Sequence, residues 1–192
     1  MICIRRARAA DAESIGAVHV TTWRTAYAGV LPDDYLAELS PMRHAAGYEQ
    51  AITDRRHGHA VFVAVASGAD APAGAPAEGG TIVGFVSGGR ARRDWLAQGE
   101  VETLYLMDDF RDRGIGRRLM RAMAAHLAAV GCRSAMLWVL QDYPTRWFYQ
   151  RLHGRPAAEE TIRFAGRTMQ QLAFVWDPIE TLLAATAPAQ EG

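Results

Sequence analysis

The stretch Arg111-Asp112-Arg113-Gly114-Ile115-Gly116 sets two glycines at alternate positions, between an apolar run and a segment rich in arginine. If the run is a strand and the segment a helix, the first helical turn leaves backbone N–H groups without intrahelical partners, all aimed at one point. The helix dipole favours anions there, so the arrangement suits phosphate. Gly114 and Gly116 would let the backbone approach a pyrophosphate with no side chain in the way, and Arg113, Arg117, Arg118 and Arg121 would place fixed positive charge around it. The same residues also fit an ordinary strand-to-helix connection with a solvated basic face, so the turn alone does not decide. Upstream, strand alternation puts Glu100, Glu102, Leu104 and Leu106 on one face. Two carboxylates so placed can raise one pKa or bind a cationic amine; as solvated groups at a strand entrance they would do neither.

The elements that must position these groups can be read from periodicity and punctuation. Residues 2–6 form a strand, and Asp11 opens a helix whose apolar positions Ile15, Val18, Trp23 and Ala26 follow a 3.6-residue period and which Gly29 stops. A short helical turn begins at Leu31-Pro32-Asp33-Asp34 and carries Tyr35, Leu36 and Leu39; Ser40-Pro41 starts another helix. Residues 60–65 and 81–86 are β-branched or aromatic runs forming a hairpin around a loop rich in Ala, Gly and Pro. After an irregular stretch to Gly99, residues 100–107 form a strand and 114–130 a helix with the stripe Leu119, Met123, Leu127 and Val130. Residues 134–140 are a strand, 144–152 a helix, and 161–164 with 168–176 a terminal strand pair joined through Ala165-Gly166-Arg167. One domain over residues 1–177 is expected, followed by a tail, 178–192, frayed beyond a last apolar turn at Leu182 and Leu183.

Several chemistries are disfavoured. No Gly-Lys-Ser or Gly-Lys-Thr follows Gly114 at the distance a nucleotide P-loop needs, and the third glycine of a dinucleotide fingerprint is missing near Leu119. There is no Gly-x-Ser-x-Gly elbow. Of six histidines, His57-Gly58-His59 is the one close pair and no carboxylate–histidine motif accompanies it, so no metal is expected. Lys plus Arg and Asp plus Glu both number 21, which gives no global attraction to nucleic acid or an anionic membrane. Cys3 and Cys132, the only cysteines, lie far apart, and no apolar run approaches the roughly 20 residues that span a bilayer, so a cytoplasmic setting is expected. Arg90, Arg92 and Arg93 read as a solvated basic loop.

With the strand before it and the helix after it, Arg111-x-x-Gly114-x-Gly116 resembles motif A of the GNAT N-acetyltransferase superfamily, and Phe148-Tyr149-Gln150-Arg151-Leu152 resembles that family's second motif. The resemblance implies an α+β fold with a central mixed, mostly antiparallel sheet flanked by helices on both faces. It also implies acetyl-CoA as cosubstrate, contacted by Leu106 and Met107 along the pantetheine arm and by Arg111 and Asp112 together with backbone amides from Arg113 through Gly114, Ile115, Gly116 and Arg117 to Arg118. The acetyl group is expected to move to a primary amine of a small molecule or peptide by direct attack. Glu100, at a position some family members use as a base, or Glu102 is then the base, and Tyr149, matching a tyrosine several members use, is the acid that protonates the departing thiolate. Trp23, Tyr27 and Tyr35 fall in the segment that lines the acceptor side, where acidic Asp33, Asp34, Glu100 and Glu102 suit a cationic amine. Where the second motif often has Asn and Ala this chain has Asp142 and Thr145, and His153 replaces the usual glycine before Gly154. Alternatives are another acyl-CoA donor or a catalytically silent coenzyme A-binding module. The terminal strand pair leaves an edge that a homodimer could cover.

Overall fold

A computed structural model describes residues 1–54, 58–74, 80–141 and 145–188. The strands are Ile2–Arg6 (β1), Ala60–Ala66 (β2), Thr81–Arg90 (β3), Gly99–Leu106 (β4), Ala135–Leu140 (β5), Arg155–Phe164 (β6) and Arg167–Trp176 (β7). They form one sheet in the order β1-β2-β3-β4-β5-β7-β6, in which β4 and β5 are the parallel neighbours and every other pair is antiparallel. The helices are Ala12–Ala26 (α1), Asp33–Glu38 (α2), Pro41–Thr53 (α3), Ile115–Ala129 (α4), Arg146–Arg151 (α5) and Glu180–Ala185 (α6).

Alternation along the strands divides the core between the two faces of the sheet. Val61, Val63 and Val65 of β2 join Ile15 and Val18 of α1 under one face, where Tyr48 and Ile52 of α3 also pack. On the other face Ile115, Leu119, Met120, Met123, Ala124 and Leu127 of α4 are buried against Ala64, Val83, Val86 and Val101. The expected mixed sheet covered on both faces is present. Local signals start and stop its helices: Ser40 accepts a hydrogen bond from the Arg43 N–H at 3.4 Å, with Pro41 opening α3.

Two differences from the sequence expectation have physical causes. β3 runs on through Gly88 and Gly89 to Arg90, because those glycines lie against the β4 backbone where a Cβ on Gly88 would collide with the Glu100 carbonyl oxygen. β6 begins at Arg155 rather than 161; it is an edge strand paired only with β7, and an edge tolerates Pro156 and low-propensity Ala and Glu. Beyond Trp176, the last apolar turn is the helix α6, with Ile179 and Leu182 buried in the α4-side core.

Candidate active site

β4 and β5 pair only at Gly99↔Ala135 and Glu100↔Met136, then separate. Their parting leaves a cleft of about 770 Å³ walled by Val101 to Leu106 on one side and Leu137 to Leu140 on the other. Over it stand the turn before α4, α5 and the end of α1. A strand edge without a partner strand presents free N–H and C=O groups. The Met107 N–H is spent on the Val83 carbonyl oxygen at 2.9 Å and its side chain packs into the cores, so Met107 faces β3 while Leu106 faces the cleft. Met107 is therefore not brought to the site as expected.

Arg111, Asp112, Gly114, Ile115, Gly116 and Arg117 all line the cleft. Asp112 and Gly114 have φ of 59° and 71°, which turn the chain tightly enough to aim the start of α4 into it. The Arg118 N–H donates to the Gly114 carbonyl at 3.1 Å, closing the first helical turn. The intrahelical ladder thus starts at Arg118, and the N–H groups of Ile115, Gly116 and Arg117 precede it. Arg118 is off the cleft wall and engaged on both counts, since its guanidinium also donates to the Ile2 carbonyl at 3.0 Å. Arg121 likewise holds the Leu183 carbonyl at 2.9 Å, docking α6. Arg113 lies over the Phe110 ring at 5.2 Å and 4.0 Å from Asp70 rather than on the cleft wall, and Arg111 pairs with Asp108 at 2.7 Å. The basic first turn is thus partly structural.

Strand alternation does not hold through the glutamates. Ser87 pairs with Thr103 and Gly88 with Val101, so Glu102 is an extra residue, a β-bulge. Leu104 and Leu106 pack on the α4 face with Val101, whereas Glu100 and Glu102 both reach Arg92, at 4.0 and 3.4 Å. The expected shared face of Glu100, Glu102, Leu104 and Leu106 is therefore broken by one inserted residue. Glu102 lines the cleft; Glu100 does not. His59 Nε2 lies 3.0 Å from Glu102 Oε2, and this hydrogen bond holds the Glu102 carboxyl below its ordinary range, against the opposing effect of burial and with help from Arg92. Tyr149, on α5, is buried among Phe148, Phe174 and Trp176 with its ring lining the cleft, and burial pushes its phenol well above the ordinary range, so it carries its proton. Just past α5, His153 is held at φ 60° in the left-handed region. Asp142 lies outside the described residues.

Where α1 meets the cleft, Tyr27 lines it beside Ala26 and Thr22, whose hydroxyl is buried with no hydrogen-bond partner among the described residues. Trp23 and Tyr35 stand behind this wall. Trp23 packs edge-on to Tyr27 at 4.9 Å and to Phe164 at 5.7 Å, and Tyr35 meets the same Phe164 ring at 5.4 Å, so Trp23 braces Tyr27 and both pack against Phe164 at the end of β6. Asp33 and Asp34 are exposed on α2. His59 and Arg92 were missed in the sequence: they reach Glu102 across 43 and 10 residues, and nothing local announces the contacts. Arg93 is not merely solvated, since it pairs with Glu160 at 3.0 Å. Among the described residues no group of three or more His, Cys, Asp or Glu is placed to hold a metal, and no helix is long and apolar enough to cross a membrane.

Comparison with known proteins agrees with this geometry. Residues 23–154 match the model of the acetyltransferase (GNAT) family. The chain is 29% identical over 183 residues to the uncharacterised N-acetyltransferase YuaI of Bacillus subtilis (strain 168), covering 95% of this chain and 96% of that one. Among solved structures, the PaiA N-acetyltransferase of Thermoplasma acidophilum in complex with coenzyme A is similar with a TM-score of 0.62 at 16% identity, over 90% of this chain and 98% of that one. YncA of Salmonella typhimurium, solved with acetyl-CoA, gives 0.63 at 17% identity over 92% and 93%. The separated β4 and β5, the glycine turn into α4 and the family match together place this chain in the GNAT N-acetyltransferase family.

Proposed function

We propose that the cleft binds acetyl-CoA and that the chain transfers its acetyl group to a primary amine of a small molecule or peptide by direct attack in a ternary complex. The observation that carries this reading is the cleft itself: the start of α4, with the Ile115, Gly116 and Arg117 N–H groups ahead of the helical ladder, opens beside the unpaired edge of β4. The pyrophosphate would lie on those three amides, with Arg117 and Arg111 nearby, and the pantetheine arm along Thr103 to Leu106. Gly116 fits such a ligand, since a Cβ there would meet only Phe148 at 3.4 Å in the free protein and leaves its space to the incoming group.

An amine is mostly protonated near neutrality and must lose a proton before it attacks, while the departing thiolate must gain one. Glu102, ionised and on the cleft wall, binds the ammonium and accepts its proton directly or through a water. Tyr149, kept protonated by burial, donates to the thiolate sulfur. Glu100 takes a lesser part, since it is off the wall. Tyr27 forms the apolar side of the acceptor end, braced by Trp23, which in turn packs with Tyr35 on the Phe164 ring. The direct test is incubation with acetyl-CoA carrying a labelled acetyl group and polyamine, aminoglycoside and peptide N-terminal acceptors, read by mass spectrometry. Label on an amine, lost in Glu102→Gln, supports the assignment; label transfer undiminished in Glu102→Gln removes Glu102 from it.

A further inference from the structure

Glu102 has two neighbours of different character. His59 Nε2 stands 3.0 Å from Oε2, with a side chain only 18% exposed, immediately before β2, and its carbonyl accepts from Arg6 of β1 at 3.4 Å. Arg92 approaches Oε1 at 3.4 Å and Glu100 at 4.0 Å, and its side chain is 75% exposed. The first contact is short and held by its surroundings; the second is long and free to leave. A carboxylate only accepts, so the facing ring nitrogen must carry the hydrogen. Among the described residues the buried His59 Nδ1 has no partner, which puts the neutral ring's one proton on Nε2. Since Nε2 also donates in the protonated ring, the contact persists whichever state the imidazole takes. Among the described residues, Glu100 on its own strand and Tyr48 of α3 also lie near Glu102, and the Tyr48 phenol is raised by burial and further by the Glu102 charge.

We propose that His59 is the positioning residue of the acceptor end: its Nε2–H holds the Glu102 carboxylate in place, and Arg92 is a counter-ion that the ammonium of an incoming amine replaces. The proposal rests on Glu102 being the acceptor's anionic contact. It explains why the bulge matters, because the inserted residue is the one that reaches both partners. A fixed donor on one oxygen leaves the other for a cation, and a loosely held arginine marks where that cation sits.

The test is an NMR titration of the Glu102 side-chain carboxyl in the full chain, for wild type, His59→Ala, His59→Gln and Arg92→Ala, with calorimetric titration of coenzyme A into each. The Glu102 midpoint is expected to rise in His59→Ala, to return toward wild type in His59→Gln, whose amide restores an N–H donor, and to move less in Arg92→Ala than in His59→Ala. Coenzyme A affinity is expected to stay within about threefold in all four, since neither residue touches the cradle. An unchanged midpoint in His59→Ala, no restoration by glutamine, or an Arg92→Ala shift as large as the alanine shift at His59 overturns the proposal. Absence of coenzyme A binding to wild type counts against the cofactor reading instead, and the Glu102 midpoints still decide the role of His59.

Discussion

Gly116→Ala separates binding from folding. In the free protein the added methyl meets only Phe148, at 3.4 Å from Cζ and 3.7 Å from Cε2, which is ordinary contact. Replacing glycine by alanine in a helix contributes roughly 0.5–1 kcal/mol. For a chain of this size 1 kcal/mol corresponds to about 2–4 °C, so the free variant should melt at the wild-type midpoint or a few degrees above it. Binding should move the other way, because the methyl stands where the pyrophosphate must approach the N–H groups of residues 115–117. Weakening two charge-assisted hydrogen bonds, each worth roughly 1.5–3 kcal/mol, lowers coenzyme A affinity by about 100-fold or more. The assay is the melting midpoint with and without coenzyme A. At about 100 times the wild-type Kd the ligand adds roughly 2.7 kcal/mol to wild type, and to the variant only about 0.4 kcal/mol. In temperature these are rises of roughly 5–10 °C and about 1 °C. Gly114→Ala is the contrast: nothing lies within 4 Å of its Cβ, but φ of 71° makes alanine strained, so the free protein itself should lose roughly 1 kcal/mol. A Gly116→Ala variant that is as stable as wild type and gains the full ligand-induced rise would refute the cradle.

Three further outcomes are expected. Tyr149→Phe keeps the ring among Phe174 and Trp176 but removes the transferable proton, so kcat in an acetyl-transfer assay should fall by about 10²–10⁴ while the coenzyme A-induced melting rise stays unchanged. Asp11 receives both Arg5 nitrogens, at 2.6 and 2.9 Å, and the Arg8 N–H at 2.7 Å, and the Arg5 hydrogen bond chiefly holds its carboxyl below the ordinary range. A carboxyl depressed in the folded state stabilises above its unfolded pKa and loses that contribution as pH falls through the folded value. In urea unfolding, Asp11→Asn should therefore be roughly 1–2 kcal/mol less stable than wild type at neutral pH, with the gap closing under acid. His153→Gly relieves a left-handed residue at the end of α5 and should raise the melting midpoint by about 2–4 °C, measured by calorimetric scanning.

What could be read from the chain alone was what local pattern determines. Alternating Val61, Val63 and Val65 mark β2, Ser40-Pro41 starts α3, and the glycines of the turn before α4 announce the site, because each is set by neighbours a few residues away. The bulge at Glu102 left no local trace, since it exists only in the register between β3 and β4, and it reverses which face the glutamates share. The pairing of Glu102 with His59 and the diversion of Arg118 to the Ile2 carbonyl are likewise products of sheet order, with partners 43 and 116 residues away. Trp23 and Tyr35 do not line the cleft, since aromatic residues near one can line it or pack behind those that do, and only packing separates the two.

Calorimetric titration of acetyl-CoA into the purified wild-type protein, with coenzyme A and ATP run in parallel, tests the central claim most directly. Saturable binding of acetyl-CoA and coenzyme A with a Kd of about micromolar order, and no heat from ATP, is the expected result. No binding of acetyl-CoA, or equal binding of ATP, would contradict it.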